Sequence, residues 1–212
     1  MAIVPMFPLG SVLLPGAPLS LHVFEPRYRQ LVQDCVRADA HEFGVVLIER
    51  GSEVGGGDVR RDVGTMARML QVAELPGDRF AVLSVGDRRI RVRGWLPDDP
   101  YPLAEVDDWP EEGDRHWPGA GDHIESLVQR VRRAAALAIE LGDLTAELGV
   151  DPDLEFSDEP TLAGFRLSTL APLGDVDRYA LLSAPGPRVR LALLGELLGE
   201  VEALLRFRLG SP

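Results

Sequence analysis

The sequence predicts an α+β protein: a small, closed or partly open β-barrel carrying one early helix, followed by a C-terminal helical bundle. Three observations carry that prediction. Before about residue 97 the apolar residues come in short runs broken by Gly, Pro and charge. After residue 122 they recur with a period near 3.6. Between the two, residues 97–122 hold nine Asp or Glu against one Arg, together with Pro97, Pro100, Pro102, Pro110 and Pro118. Residues 1–106 are therefore expected to form the barrel, 107–121 an acidic, Pro-rich linker, and 122–212 the bundle. Many short strands joined by tight turns favour a barrel over a βαβ sheet.

The elements follow in order. Residues 3–7 and 19–24 read as short strands, punctuated by the Pro8-Leu9-Gly10 corner and by Pro15-Gly16. Residues 26–38 read as a helix. Tyr28, Leu31, Val32, Cys35 and Val36 fall on one face, and Pro26 sits in the first turn, where its missing N–H is not needed. The continuous, β-branched stretch 43–48 suits a strand buried on both faces. Residues 50–61, with Gly55-Gly56-Gly57, read as a surface loop. Strands are expected at 64–73, 80–85 and 88–96, with Leu75-Pro76-Gly77-Asp78 and Gly86-Asp87 as their turns. A strand at 103–106 returns to the barrel. In the second half, Asp122 and Glu125 have the spacing of a capping box. Ile124, Leu127, Val128, Val131, Ala135, Ala138 and Leu141 then trace a buried stripe to Gly142. Residues 160–170 form a shorter helix stopped by Pro172, and Asp175 caps a brief one with Tyr179 and Leu182 inward. Residues 188–209 form the longest helix, with Leu191, Leu194, Leu197, Leu198, Val201, Leu204 and Leu205 as its apolar stripe. Glu202 and Arg206 make an i,i+4 pair on its exposed side.

Composition excludes several chemistries. The chain of 212 residues is 45% apolar and 26% charged, a globular balance, and its formal charge of −12 disfavours a nucleic-acid partner. All 22 of its basic Lys/Arg positions are Arg, so there is no lysine for a phosphate-binding loop, a Ser–Lys dyad or a Schiff base. His22, His41, His116 and His123 show no ligand spacing with one another or with Cys35, so no metal is expected. The triple glycine lacks the strand–turn–helix setting of a dinucleotide site. Cys35 lies on the apolar helix face, where a thiol is inert. Asp107, Asp108, Glu111, Glu112 and Asp114 read as a solvated segment rather than a catalytic carboxylate pair. No catalytic residue, cofactor or enzymatic activity is expected. A single cysteine suits a reducing, cytoplasmic setting, the proline-interrupted N-terminus is a poor signal peptide, and no run is long and apolar enough for a membrane span.

Two features could bind a partner. In Arg88-Arg89-Ile90-Arg91-Val92-Arg93, strand alternation puts Arg89, Arg91 and Arg93 on one face. That basic face is either neutralised by the chain's own acids or offered to an acidic peptide or RNA phosphate. In the N-terminal segment, Phe7, Leu9, Val12, Leu13 and Leu14 are more apolar than loops require. Either they close the barrel, or part of them, with Phe7, Leu9, Val12 and Leu14 as candidates, lines a groove for an extended unfolded peptide.

Several motifs carry a family resemblance. Pro5-Met6-Phe7-Pro8-Leu9, Val12-Leu13-Leu14-Pro15-Gly16 and Leu19-Ser20-Leu21-His22-Val23-Phe24-Glu25-Pro26-Arg27-Tyr28-Arg29 resemble the opening of the Lon protease N-terminal, substrate-binding domain family. Phe43-Gly44-Val45-Val46-Leu47-Ile48 and Asp62-Val63-Gly64-Thr65-Met66-Ala67 continue the resemblance in register. So do Leu75-Pro76-Gly77-Asp78-Arg79-Phe80, Gly86-Asp87-Arg88-Arg89-Ile90-Arg91-Val92 and Pro100-Tyr101-Pro102-Leu103-Ala104-Glu105-Val106. The helical half is similar more loosely, through its Leu-rich last helix.

The resemblance implies a PUA-like barrel followed by a helical bundle, and a stand-alone form without the ATPase and peptidase. It implies a non-catalytic domain that recognises unfolded or client proteins and peptides, as an adaptor or chaperone-like factor working with a separate protease. The alternative is an RNA-binding PUA-like protein using the Arg89, Arg91 and Arg93 face. His22, Phe24, Glu25, Pro26, Arg27 and Tyr28 form the most distinctive cluster and read as structural: Glu25 caps the helix at Pro26, and Arg27 and Arg29 pair with carboxylates across the seam between the two halves.

Overall fold

Two long strands organise the first half of the chain. The computed structural model describes residues 2–53, 57–113, 117–151 and 155–210. In it β1 is Ala2–Leu9, β2 Pro18–Val23, β3 Glu42–Arg50, β4 Val59–Leu75, β5 Arg79–Trp95 and β6 Leu103–Asp108, with helix α1 (Pro26–Arg37) between β2 and β3. The strand order is β2-β5-β4-β3-β1-β6, and β5 also pairs with β6. That last pairing closes β5, β4, β3, β1 and β6 into a ring, which removes the ring's edges. Only β2 lies outside it. The β1–β3 pairing is parallel and the others are antiparallel.

Alternation along these strands fills the ring with Val4, Met6, Val46, Met66, Ile90, Val92, Ala104 and Val106. Against β1 lies α1, whose buried face is Tyr28, Leu31, Val32 and Cys35. Tyr28 stacks on Phe7 with ring centres 4.0 Å apart, and Phe43 lies 6.1 Å from the same ring. Val36, expected inward, is exposed because the helix presents only a narrow face.

Gly86-Asp87 is not a turn. β5 runs through it, with Met66 opposite Arg88 and Ala67 opposite Gly86, so Asp87 is the extra residue of a β-bulge. The glycine serves a close approach: Gly16 donates to the Gly86 carbonyl at 2.8 Å, Gly86 donates to that of Ala17 at 2.9 Å, and a Cβ here would strike the Leu14 carbonyl. The expected loop at 50–61 is likewise shortened, since Val59, Arg60 and Arg61 already belong to β4; Gly55 and Gly56 lie outside the described residues.

By contact density the chain divides into Met1–Pro110 and Glu111–Pro212. The second unit holds α2 (Ala120–Glu140), a 3₁₀ turn (Leu144–Ala146), α3 (Glu147–Val150), α4 (Pro160–Leu170), α5 (Asp175–Ser183) and α6 (Pro187–Gly210). Ile124, Leu127, Val128 and Val131 of α2 pack with Ala163 and Leu167 of α4 and with Leu191, Leu194 and Leu198 of α6. The capping expectations need correction. α2 starts earlier, with Gly119 at its N-cap and Asp122 inside the first turn, where its charge still meets the helix dipole. Gly174, not Asp175, occupies the N-cap of α5. Glu159, to which the sequence alone assigned no role, caps α4, accepting from the Leu162 N–H at 2.8 Å.

Two charged side chains are buried inside this unit. Arg190 has no exposed surface; its Nη1 and Nη2 donate to the Glu111 carboxylate at 2.8 and 3.0 Å, and its Nε to the Leu181 carbonyl at 2.9 Å. The guanidinium sits 3.7 Å from the centre of the Phe165 ring. Burial draws its pKa down while the Glu111 carboxylate opposes the fall. Glu202 is also buried, contrary to its expected exposed position: Arg206 reaches it at 3.1 Å, and Arg130 and Arg133 of α2 at 3.6 Å. Turning Glu202 inward turns Leu204 outward, so that leucine leaves the predicted stripe.

Candidate functional site: an open strand edge

The strand outside the ring leaves one edge of the barrel unit without a strand partner among the described residues. β2 pairs with β5 from Pro18 opposite Val85 to Val23 opposite Phe80, and no other strand among the described residues pairs with it. Among the described residues its second row of N–H and C=O groups pairs with no strand, an arrangement that can accept another. Alternation decides what surrounds that edge. Val23 of β2 and Phe80, Val82 and Ser84 of β5 are buried. The opposite parity places Ser20 opposite Leu83 and His22 opposite Ala81 on the outward face, and Gln71 of β4 lies opposite Leu83 on its other side.

Three large apolar side chains are exposed here: Phe24 at 54%, Leu83 at 40% and Leu70 at 53%. Phe24 continues the parity of Ser20 and His22, and its ring meets that of His22 edge-on at 6.4 Å. Leu70 lies at the irregularity between Met69 and Gln71, which lets it turn outward beside the Gln71–Leu83 pair. The result is a shallow, mostly uncharged ribbon bordered by open backbone.

The motif after β2 anchors this ribbon. Glu25 occupies the N-cap position of α1 as expected, but its side chain makes no cap bond and instead accepts from Arg27 Nε at 3.1 Å. Arg27 also donates to the Glu53 carbonyl and lies 4.4 Å from the centre of the Tyr28 ring. Arg29 reaches Asp78, so both arginines find partners inside the barrel unit. Burial pushes the Tyr28 phenol up to about 12, keeping it neutral against Phe7. Phe24 is thus held outward by an anchored corner whose first helical residue is Pro26.

The other expected binding residues lie elsewhere. Phe7, Leu9 and Leu14 are buried, and Val12 is half-buried. β1 pairs with β3 and β6 along its two edges, and Phe7 packs against Tyr28 and Phe43, so Phe7 and Leu9 are spent on the core rather than presented to a peptide. On the basic face, Arg89 and Arg91 lie 4.3 and 3.9 Å from the centre of the Trp109 ring, and Arg89 also donates to the Pro110 carbonyl. Arg93 donates to Asp107 at 2.8 Å and holds that carboxyl below its usual range. Arg89 is buried and the row is occupied by the chain's own Trp109 and Asp107.

Burial pushes the Cys35 thiol up to about 12, and its Sγ donates to the Glu42 carbonyl at 3.3 Å, so at neutral pH it is a buried thiol rather than a nucleophile. Among the described residues no three His, Cys, Asp or Glu side chains cluster as metal ligands; His116 and Asp114 fall outside them. Leu70 and Leu83 went unnoticed in the sequence. Strand parity would have found Leu83, but Leu70 depends on an irregularity that leaves no composition signal.

The chain is similar to several known proteins. The model of the ATP-dependent protease La (LON) substrate-binding domain matches residues 3–200. Lon protease 2 of Myxococcus xanthus is 28% identical over 210 residues, covering 96% of this chain and 24% of that protein. Lon protease 2 of Sorangium cellulosum is 31% identical over 155 residues, covering 71% and 17%. The chain therefore spans about a quarter or less of the length of these relatives. Among solved structures, the Lon N-terminal domain protein from Xanthomonas campestris matches with a TM-score of 0.68 and 31% identity, over 92% of this chain and 97% of that one. The N-terminal domain of Mycobacterium avium complex Lon protease shares the fold, with a TM-score of 0.64 at 17% identity over 93% of this chain and 98% of that one.

Proposed function

Because the chain belongs to the family of ATP-dependent protease La (LON) substrate-binding domains, we propose that it is a non-catalytic recognition domain that holds extended, unfolded segments of client proteins along the open edge of β2. The observation that carries this reading is the coincidence of an unpaired strand edge with exposed Phe24, Leu70 and Leu83. An added strand gains main-chain hydrogen bonds that demand no particular sequence, while the apolar ribbon favours segments whose own apolar residues are exposed by unfolding. This serves an adaptor or chaperone-like role in which a separate protease receives the client. The single, buried Cys35 suits a reducing, cytoplasmic setting, and no described helix is long and apolar enough to cross a membrane. The RNA reading of the Arg89, Arg91 and Arg93 face has less to support it, since phosphates would have to displace Trp109 and Asp107.

The test uses a reduced, alkylated and therefore permanently unfolded polypeptide, with binding followed by fluorescence anisotropy. Combined Phe24→Ser and Leu83→Lys substitutions, both at exposed positions, are expected to weaken binding by about tenfold or more. Unchanged affinity in a variant with native circular dichroism would remove this reading.

A further inference from the structure

Away from β2, the barrel unit contains a half-open cavity of about 380 Å³ between the end of α1 and one mouth of the ring. That size lies within the range of small-ligand sites, and barrel mouths are a usual place for them. Its lining includes the buried, apolar side chains of Val4, Cys35, Met66 and Val106. Ile3, 59% exposed, stands at the opening.

The polar groups on the lining are Asp34, Glu42, Arg88 and Asp108. Arg88 is fully engaged: Nε donates to Asp108 Oδ1, Nη1 to Glu42 Oε1 and Asp87, and Nη2 to Glu42 Oε2, at 2.9–3.0 Å. Asp34 accepts from Gln30 at 2.8 Å, Arg37 at 3.2 Å and the Tyr101 hydroxyl at 2.9 Å. Asp108 is two-thirds exposed, and its Oδ2 has no partner among the described residues. Three carboxylates against one guanidinium leave the lining with a net negative charge. An anion entering it would meet those carboxylates and would have to break Arg88 out of its pairs.

We propose that this cavity is a binding site for an amphipathic cation: an aliphatic or aromatic body carrying one ammonium or guanidinium group. The body displaces water from Val4, Met66 and Val106, and the cationic end reaches Asp108 Oδ2 on the acidic side. Two sources share this chemistry, a free small amine and a basic side chain on a client polypeptide. The site is separate from the β2 ribbon, so neither reading needs the other.

The experiment records amide chemical shifts of the full chain. The probes are phenethylamine, its neutral isostere 2-phenylethanol, the anion 3-phenylpropionate, and a capped peptide, acetyl-Gly-Phe-Arg-Gly-amide. Phenethylamine or the peptide is expected to shift residues 2–4, Ala38 and Ala40, the alcohol more weakly and the anion not at all. A shift by the peptide alone identifies a client side chain as the occupant, and a shift by the amine admits free amines. Asp108→Asn removes one exposed charge and is expected to weaken cation binding about two- to fivefold. Ala38→Leu, which narrows the cavity, abolishes it. Failure of both cations to shift these amides overturns the proposal, as does equal binding of the anion or insensitivity to both substitutions in folded protein.

Discussion

Replacing Arg190 with alanine costs the helical unit about 3–5 kcal/mol, the range seen when one partner of a buried ion pair is removed. Arg190 holds Glu111, the Leu181 and Ala184 carbonyls and the face of Phe165 in a position with no exposed surface. Its loss removes two charge-assisted hydrogen bonds from the largely buried Glu111 carboxylate, together with the guanidinium's donations to the Leu181 and Ala184 carbonyls. The same guanidinium fastens Glu111, at the start of the unit, to α5 and α6, and the Glu112 N–H adds a separate bond to the Pro185 carbonyl at 2.9 Å. Urea unfolding followed at 222 nm, which weights the helices, measures the loss. Removing both charges together, as Arg190→Met with Glu111→Leu, is expected to restore much of it, because a hydrophobic pair of similar volume escapes the desolvation cost. Equal stability of the single variant and the parent would mean that Glu111 finds other donors.

Phe7→Ala is the second large effect, an expected loss of about 3–5 kcal/mol from the barrel unit. The side chain is buried, stacks on Tyr28 at 4.0 Å and lies against Phe43, so truncation leaves a cavity among aromatic rings fixed by β1, β3 and α1. Client affinity, measured where the variant remains folded, should stay close to that of the parent. A variant that kept its stability and lost its clients would put the peptide surface back on the N-terminal segment.

That contrast shows where the sequence was legible. Periodicity found α1 and α4 and most of α2 and α6, because a helix buries one face and the 3.6-residue spacing survives any tertiary arrangement. The motifs located the strands and the family. Side-chain destination was harder. Phe7, Leu9 and Leu14 look surplus in a loop-rich N-terminus, but Phe7 and Leu9 are buried on β1, Phe7 against Tyr28 and Phe43, and Leu14 on the segment pressed against Gly86 of β5. Phe24 belongs to a motif that reads as structural, yet its neighbours supply the anchoring while its own ring faces solvent. The Gly86-Asp87 pair has turn chemistry, but the backbone of residues 14–17 pressed against Gly86 makes it a bulge instead. In the helical unit, the charge pattern of Glu202 and Arg206 suggested solvent, and two arginines from α2 brought the carboxylate inward. The Gly86 and Glu202 misses are both pairings between segments distant in sequence.

The central claim is that unfolded clients add a strand to β2. Site-resolved amide hydrogen exchange of the full chain, with and without saturating reduced and alkylated polypeptide, reads this most directly. An added strand would slow exchange of the outward-pointing amides among residues 19–23, with smaller changes beside Leu70 and Leu83. Protection confined to Arg89, Arg91 and Arg93 or to the helical unit, with the β2 amides unchanged while the polypeptide is demonstrably bound, would contradict it.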